Sequence, residues 1–425
     1  MKRFSQYTTA KNRTKGNKVK MTELKFKNLS FTDEKDRIKV TLLDYFYFHI
    51  NKEELGKIGE FKVKKDLISF KDIKKEISER KFSFLVAKNI SDLKSIVTGK
   101  PAAYIHKNSN IPLIGTNYFG IVDRNSSLIE IKPVTGCNLN CIYCSVNQDK
   151  RRTDFVIEKD YLVSELKKVI SQKENNNIEI HIGTQGEPLF YSELTSLVKD
   201  IKGIKQVKTI SIDTNGTLLS EKAIKELEEA GLTRINLSIN SLDDKLAKKI
   251  AGANYSIKRI KEIAEFITKK TKIGLLIAPV MIPGINEQEM PKLAKFAIGI
   301  GAGKNAPPIG IQNFLNYRFG KNPAKEIPFE KFYEKLRQLE KEEDIRLIFN
   351  ESDFNIVKTK ELPKPFSKGD IIHANIVLNG RLKGEKLAAA AGRLISIPNC
   401  PDTKKGKIRL KIIRSKHNVF VGTLV

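Results

Sequence analysis

A chain of 425 residues is long enough for about two to four domains and a large core. It contains no Trp, is rich in Lys, Ile and Glu, and carries a formal net charge of +28, a field that favours polyanions such as nucleic acid or an anionic membrane surface. Its four cysteines build no disulfide framework, its N-terminus lacks the apolar run of a signal peptide, and its longest apolar stretch, 273–282, is too short to span a bilayer, so a soluble cytoplasmic protein is expected.

Residues 1–27 hold Lys2, Arg3, Lys11, Arg13, Lys15, Lys18, Lys20, Lys25 and Lys27 against the single acid Glu23. With so few apolar positions the segment cannot bury enough surface to fold alone; a basic flexible arm is expected, either meeting phosphates or simply solvated. Between 28 and 124, runs at 38–43, 45–50 and 82–87 predict strands of a small mixed α/β domain, with a helix around 67–80. No catalytic constellation occurs there, and His49 and His106 read as core or surface histidines.

From 125 to 350 the chain alternates strand and helix. Strands are predicted at 128–134, 178–183, 207–213, 234–240, 273–281 and 309–314, and helices at 161–169, 223–230, 257–268 and 288–298. Such βα repetition reads as a parallel barrel or open sheet with helices outside, whose active site gathers at the C-terminal strand ends. A charged helix at 329–343 and a short run at 346–349 close this region, and 351–365, with Pro363 and Pro365, reads as a linker.

At the end of the first of these strands, Cys137, Cys141 and Cys144 stand in CxxxCxxC spacing. Three thiolates on one loop can converge on three irons of a [4Fe–4S] cluster and leave the fourth open to a ligand that receives an electron. The competing readings are structural zinc and unrelated thiols. Zinc of that kind takes four ligands, usually in paired spacings, and the only other cysteine, Cys400, is remote and reads as a loop thiol.

The loop resembles the signature of the radical S-adenosylmethionine (radical SAM) superfamily, with Tyr143 at the aromatic position before the last cysteine. The resemblance implies a partial (β/α)6 TIM-like barrel in which the open iron chelates SAM and the reduced cluster cleaves it to a 5′-deoxyadenosyl radical. Residues 183–188 resemble the "GGE" motif, with Gln185 where Gly is commoner; backbone groups around Gly186 would bond the methionyl amino group and Glu187 would reinforce its cationic form. Thr214 and Asn215, before Gly216, and Ser238 and Asn240 resemble the positions that hold the SAM carboxylate and ribose, although Asn-Gly is also a plain turn signal. Residues 280–287 resemble the "GxIxGxxE" adenine motif, with Val280 at its first Gly and Ile282, Gly284 and Glu287 following. Gln312 falls where the backbone reads the adenine edge. His181, inside the second strand, is expected in the core. Residues 315–323 read either as a substrate mouth, with Tyr317 or Phe319 stacking a base and Arg318 meeting a phosphate, or as an anchored surface loop.

In 366–425, strands are predicted at 370–378, 394–398, 407–413 and 419–425, and twelve Lys/Arg face only Asp370, Glu385 and Asp402. Alternation at 407–412 puts cations on one strand face, as in small nucleic-acid-binding β-barrels. The segment resembles the TRAM domain, an OB-like RNA-binding module. With only Cys400 beyond the loop, a second cluster or a two-cysteine methyl transfer is excluded. The expectation is a radical SAM enzyme modifying an RNA nucleoside, with tRNA favoured and a ferredoxin- or flavodoxin-like electron donor. The alternatives are a protein or peptide substrate, or an RNA-binding protein with a structural or redox-sensing cluster. The arrangement resembles an uncharacterised archaeal group of radical SAM proteins with a TRAM-like tail.

Overall fold

The computed structural model describes residues 21–174, 177–304 and 306–425, so residues 1–20 of the basic arm expected over 1–27 lie outside the described residues. The chain opens with β1 (Met21–Lys25), β2 (Leu29–Asp33), β3 (Arg37–Leu42), β4 (Phe46–Asn51), the short α1 (Lys52–Gly56), β5 (Phe61–Lys64), β6 (Leu67–Lys71), α2 (Lys75–Asn89) and β7 (Lys94–Ser95). These form one sheet in the order β1-β6-β5 and another in the order β2-β3-β4-β7.

The structure corrects three expectations in this part of the chain. Residues 21–25 are not part of an arm: β1 pairs with β6 and buries Leu24 opposite Ile68. Residues 67–71 are strand rather than helix. Residues 82–87 lie inside α2 rather than in a strand, because Ser78, Phe82, Leu85 and Val86, at helical spacing, are the positions it buries. Phe82 packs against Phe26 with ring centroids 5.4 Å apart.

The central part runs β8 (Ala102–Ile105), β9 (Gly120–Asp123), β10 (Leu128–Lys132), β11 (Asp154–Ile157), α3 (Lys159–Ser171), β12 (Ile178–Ile182), α4 (Leu194–Lys202), β13 (Val207–Thr214), α5 (Glu221–Ala230), β14 (Arg234–Leu237), α6 (Asp244–Ala251), α7 (Ile257–Lys270), β15 (Gly274–Ile277), β16 (Val280–Met281), α8 (Met290–Gly299), β17 (Gln312–Asn313) and α9 (Phe329–Glu343). A six-stranded sheet has the order β15-β14-β13-β12-β10-β9. All its neighbours are parallel except β9, which runs antiparallel to β10. The Ile277–Ile309 bridge and the parallel β16–β17 pair continue the curvature, so the predicted sixth strand is only a fragment. This is a partial α/β barrel.

Its two faces differ sharply. Ile131, Ile182, Ile212, Ile235 and Leu275 are cross-strand neighbours and are all buried on the helix side. The alternate positions, Glu130, His181, Ser211 and Arg234, are neighbours on the opposite face, and so are Asp213 and Asn236. A period of two thus gives the barrel an apolar outside and a polar lumen. His181 belongs to that lumen, which corrects its expected place in the core.

The chain ends in a closed barrel of β18 (Ile371–Asn379), β19 (Lys386–Ala390), β20 (Arg393–Ile397), β21 (Lys407–Arg414) and β22 (Val421–Leu424). Cys400 sits in the loop between β20 and β21, as expected, with its side chain buried in the barrel core with Phe420 and Leu410. The barrel is docked, not tethered. Leu394 N–H donates to Ile114 O and Phe420 N–H to Gly115 O, each at 2.8 Å, and a Cβ on Gly115 would stand 2.1 Å from Leu394 O. The connection before it is held too: buried Lys173 pairs with Asp123 at 2.5 Å and donates to Lys360 O at 3.0 Å.

Candidate active site

The cysteine loop follows β10 and lies on the end of α6. Asn140 and Ile142 donate their N–H groups to Ala251 O and Ile250 O at 3.0 Å, satisfying carbonyls that a helix terminus otherwise leaves orphaned. Gly252, at φ +60°, ends α6 there, and a Cβ on it would stand 2.2 Å from Asn140 O. On the loop's other side Glu187 N–H donates to Gly136 O at 2.8 Å. A Cβ on Gly186 would stand 2.1 Å from the same oxygen, so Gly186 is required by contact between two backbones. Residues 315–323 reach the loop as well, with Lys321 Nζ donating to Asn140 O at 3.0 Å and Asn147 N–H to Phe319 O at 2.9 Å.

The three thiols are free. Leu139 N–H donates to Cys137 Sγ and Val146 N–H to Cys144 Sγ, both at 3.4 Å, and Asn215 Nδ2 lies 3.8 Å from Cys137 Sγ. Burial pushes the Cys137 and Cys141 thiols up to about 12, so a metal group binding them must displace protons. Among the described residues no three His, Cys, Asp or Glu side chains converge on a single ion position. Three free thiols on one loop, with no fourth ligand nearby in sequence, are the donor set of a cluster that takes one thiolate per iron rather than of a four-ligand structural zinc site.

Cys141, Tyr143, Asn215, Ser238 and Asn240 line one cavity of about 20 Å³, enough for a single water. Asn240 holds this wall together: its Nδ2 donates to the Tyr143 hydroxyl at 3.1 Å and its Oδ1 accepts from Val280 N–H at 2.8 Å. Glu187 is almost wholly buried and ties two strand ends together. Its carboxylate accepts from the Thr214 hydroxyl and Asn215 N–H, both at 2.8 Å, and from Leu189 N–H at 3.2 Å. Burial is the main influence on Glu187 and raises its pKa to about 7 despite these bonds. Ile282 is buried beside Ile250 and Phe314, with Tyr143 packed against them. Gly284 and Glu287 form a turn closed by Gly284 N–H donating to Glu287 Oε2 at 2.7 Å, with Lys335 on Glu287 Oε1 at 2.8 Å. Gln312 is exposed in β17 and does not line the cavity.

Several polar groups at the site carry no sequence motif. Glu289 is buried and accepts from the Ser241 hydroxyl and Leu242 N–H at 2.8 Å and from Lys292 at 2.7 Å. Burial would raise its pKa, yet these donors hold it down to about 2. Asn286 fixes the adjacent turn by accepting from Ile282 N–H at 2.7 Å and donating to Asn240 O at 2.9 Å. In the lumen, His181 Nε2 lies 3.0 Å from Asp213 Oδ2 and Nδ1 lies 2.8 Å from Ser211 Oγ. Burial lowers the His181 pKa, but Asp213, Glu130 and Glu179 outweigh it, and the net direction is up. The Asp213 side chain is half exposed, next to Thr214. Finally, Arg151 donates to Gln185 O and Arg381, from the C-terminal barrel, donates to Gln185 Oε1.

The family profile of the Radical SAM superfamily matches residues 131–297. Protein MJ0103 of Methanocaldococcus jannaschii is 40% identical over 371 residues, covering 81% of this chain and 84% of that one. The chain belongs to the radical SAM superfamily. It is an enzyme of that class, which works with a [4Fe–4S] cluster and SAM. Further relatives are a probable GTP 3′,8-cyclase of Methanococcus aeolicus, 34% identical over 174 residues, and a GTP 3′,8-cyclase of Rippkaea orientalis, 35% identical over 176. These matches cover 39% and 40% of this radical SAM chain, which spans about half of each cyclase, 55% and 52%. Among solved structures, TYW1 with a lysine-pyruvate adduct bound aligns at a TM-score of 0.41 and 18% identity, over 57% of this chain and 82% of that one. Streptococcus suis SuiB aligns at 0.41 and 15%, over 77% and 71%. Among the described residues no helix is long and apolar enough to cross a membrane.

Proposed function

We propose that this radical SAM enzyme modifies a nucleoside of RNA, with tRNA the favoured substrate, in the cytoplasm and with a ferredoxin- or flavodoxin-like electron donor. The observation that carries the reading is the outer face of the C-terminal barrel. Lys407, Arg409 and Lys411 alternate with buried Ile408, Leu410 and Ile412 on β21, opposite exposed Asn375, His373 and Ile371 on β18. Among the described residues none of these three cations enters an ion pair, so the face offers unneutralised charge to phosphates. An OB-like, TRAM-type role for this barrel fits that surface. The cyclases that share the catalytic segment act, by name, on a nucleotide.

In this reading Cys137, Cys141 and Cys144 hold the cluster. When bound, the cluster and SAM supply a radical able to take a hydrogen atom from an unactivated carbon. The chain's own residues position and enclose. Gly186 lets the strand-end backbone approach the cysteine loop, Glu187 fixes the Thr214–Asn215 turn, and Tyr143, Ser238, Asn240 and Ile282 form the wall along which SAM lies. The 284–287 turn closes its adenine end. Nucleoside mass spectrometry of bulk RNA from a deletion strain and its parent tests the proposal. Loss of one modified nucleoside, restored by the wild-type chain but not by Cys141→Ala, is expected. Unchanged nucleosides together with an altered tryptic peptide would replace RNA by a protein substrate.

A further inference from the structure

The segment 315–323, between β17 and α9, is held at its base and at its tip. At the base, Asn316 N–H donates to Glu326 Oε2 and Asn316 Oδ1 accepts from Glu326 N–H, each at 2.7 Å. At the tip, Asn322 Oδ1 accepts from Tyr317 N–H at 3.0 Å and Asn322 Nδ2 donates to Tyr317 O at 2.8 Å. These bonds preorganise the tip, so little ordering entropy is left to lose on binding.

The tip rests on the cysteine loop. Lys321 Nζ reaches Asn140 O at 3.0 Å, just before Cys141, and Phe319 O accepts from Asn147 N–H at 2.9 Å, just after Cys144. A Cβ on Gly320 would stand 3.2 Å from Cys144 O and 3.4 Å from Tyr317 Cβ, so the Tyr317 side chain leaves the backbone beside a cysteine of the loop. Behind the tip, Phe314 is buried with Ile250 and Ile282, and Ala324 packs on the same cluster as Tyr143.

The two rings of the tip differ in what covers them. Phe319 is half-buried, with the guanidinium carbon of Arg318 5.1 Å from its ring centroid. Tyr317 is 43% exposed. Among the described residues no aromatic ring or cation packs on Tyr317, and Arg318 enters no ion pair. An exposed ring beside an unneutralised guanidinium is a pairing suited to unpaired nucleic acid, because the ring offers a stacking face and the cation meets a phosphate.

We propose that Tyr317 and Arg318 form the nucleoside subsite of this enzyme: an unpaired base stacks on the Tyr317 ring, Arg318 meets an adjoining phosphate, and the target nucleotide is held at the cysteine loop. The inference rests on RNA being the substrate. It gives the two surfaces different tasks, with β21 capturing the polyanion and the 317–318 tip selecting a nucleotide that is out of its duplex. Tyr317 is the platform rather than Phe319, because Arg318 already covers Phe319.

The chain contains no Trp, so Tyr317→Trp carries a single tryptophan at the platform. The full reconstituted chain is titrated with bulk tRNA from a deletion strain, and tryptophan emission and filter binding are read together. The emission of Tyr317→Trp should be quenched as tRNA saturates, and that of Phe84→Trp, on the exposed face of α2, should not; the second variant controls for absorption by the RNA. Tyr317→Ala should weaken tRNA binding about tenfold, within the range for one stacked base, whereas Tyr317→Phe, which keeps the ring, should bind as the parent does. Unquenched emission together with parental affinity in Tyr317→Ala, while tRNA still binds the parent, overturns the subsite and leaves the RNA reading intact. A parent chain that binds no tRNA overturns both.

Discussion

The carboxylate of Glu187 accepts a hydrogen bond from the hydroxyl of Thr214 at 2.8 Å, joining the strand end after β12 to the end of β13. This carboxyl titrates near 7 in the folded chain, against an ordinary value of 4.5. The folded state therefore binds the extra proton between those values, and its contribution to stability is full below about 4.5 and is lost as pH rises through about 7. Glu187→Gln should flatten that part of the profile. Denaturant unfolding of the two chains at pH 5 and pH 8 should show their stability difference changing by up to about 3 kcal/mol. An unchanged difference would remove the titration from Glu187.

Glu289 behaves in the opposite sense. Its folded pKa of about 2 lies below the ordinary 4.5, so its stabilisation is present above about 4.5 and lost as pH falls toward 2. Glu289→Ala strands the Ser241 and Leu242 donors and should cost about 1–3 kcal/mol at pH 7. Measured again at pH 3, the gap between variant and parent should narrow.

Gly186→Ala should be far more damaging than its single methyl suggests, because the new Cβ would meet backbone, not a side chain that can rotate away. A loss of about 2–4 kcal/mol is expected from overpacking together with backbone displacement. Iron bound per chain should fall with it. Gly299→Ala is the control: nothing stands within 4 Å of its Cβ position, so stability should hold or rise slightly.

Arg409→Glu with Lys411→Glu should leave the melting temperature close to that of the parent, since both side chains are exposed. Binding of bulk tRNA should weaken, and the slope of log affinity against log salt should fall by about 1 for each phosphate that the barrel no longer neutralises. A slope equal to that of the parent would move the RNA face elsewhere.

The parts of this architecture that depend on local pattern were legible in the sequence. The alternation of Ile and polar residues at 128–132 and 207–213, and the cation–apolar alternation of β21, identify strands because their period matches the pleat. The α5 and α7 helices begin at Ser220 and Ser256, whose hydroxyls accept from Ala223 N–H at 3.2 Å and Arg259 N–H at 3.4 Å. The same punctuation, Asp243 before α6 and Gly252 after it, marks a helix that apolar spacing alone did not predict. Elsewhere tertiary context overrode local preference. Ala-rich β19 has little strand propensity of its own and is strand because β18 and β20 pair with it on both sides. Phe82 and Phe84 alternate as a strand would, yet Phe84 is 67% exposed and only the helical set is buried. In the site, the cysteine spacing identifies the loop. Asn286, Glu289 and Arg381 have no motif, because their partners are distant in sequence or are backbone groups.

Arg381 and Gln185 also make the chain indivisible in a practical sense. Cutting at Pro363 to isolate a catalytic core would remove the barrel and expose the apolar surface that docks on 114–115. It would also strip Gln185 of its side-chain partner and Tyr118 of the guanidinium on its face. Activity lost by such a fragment would say nothing about RNA binding. If RNA is the substrate as proposed, charge reversal on β21, and not scissors, is the way to separate substrate capture from radical chemistry in this enzyme.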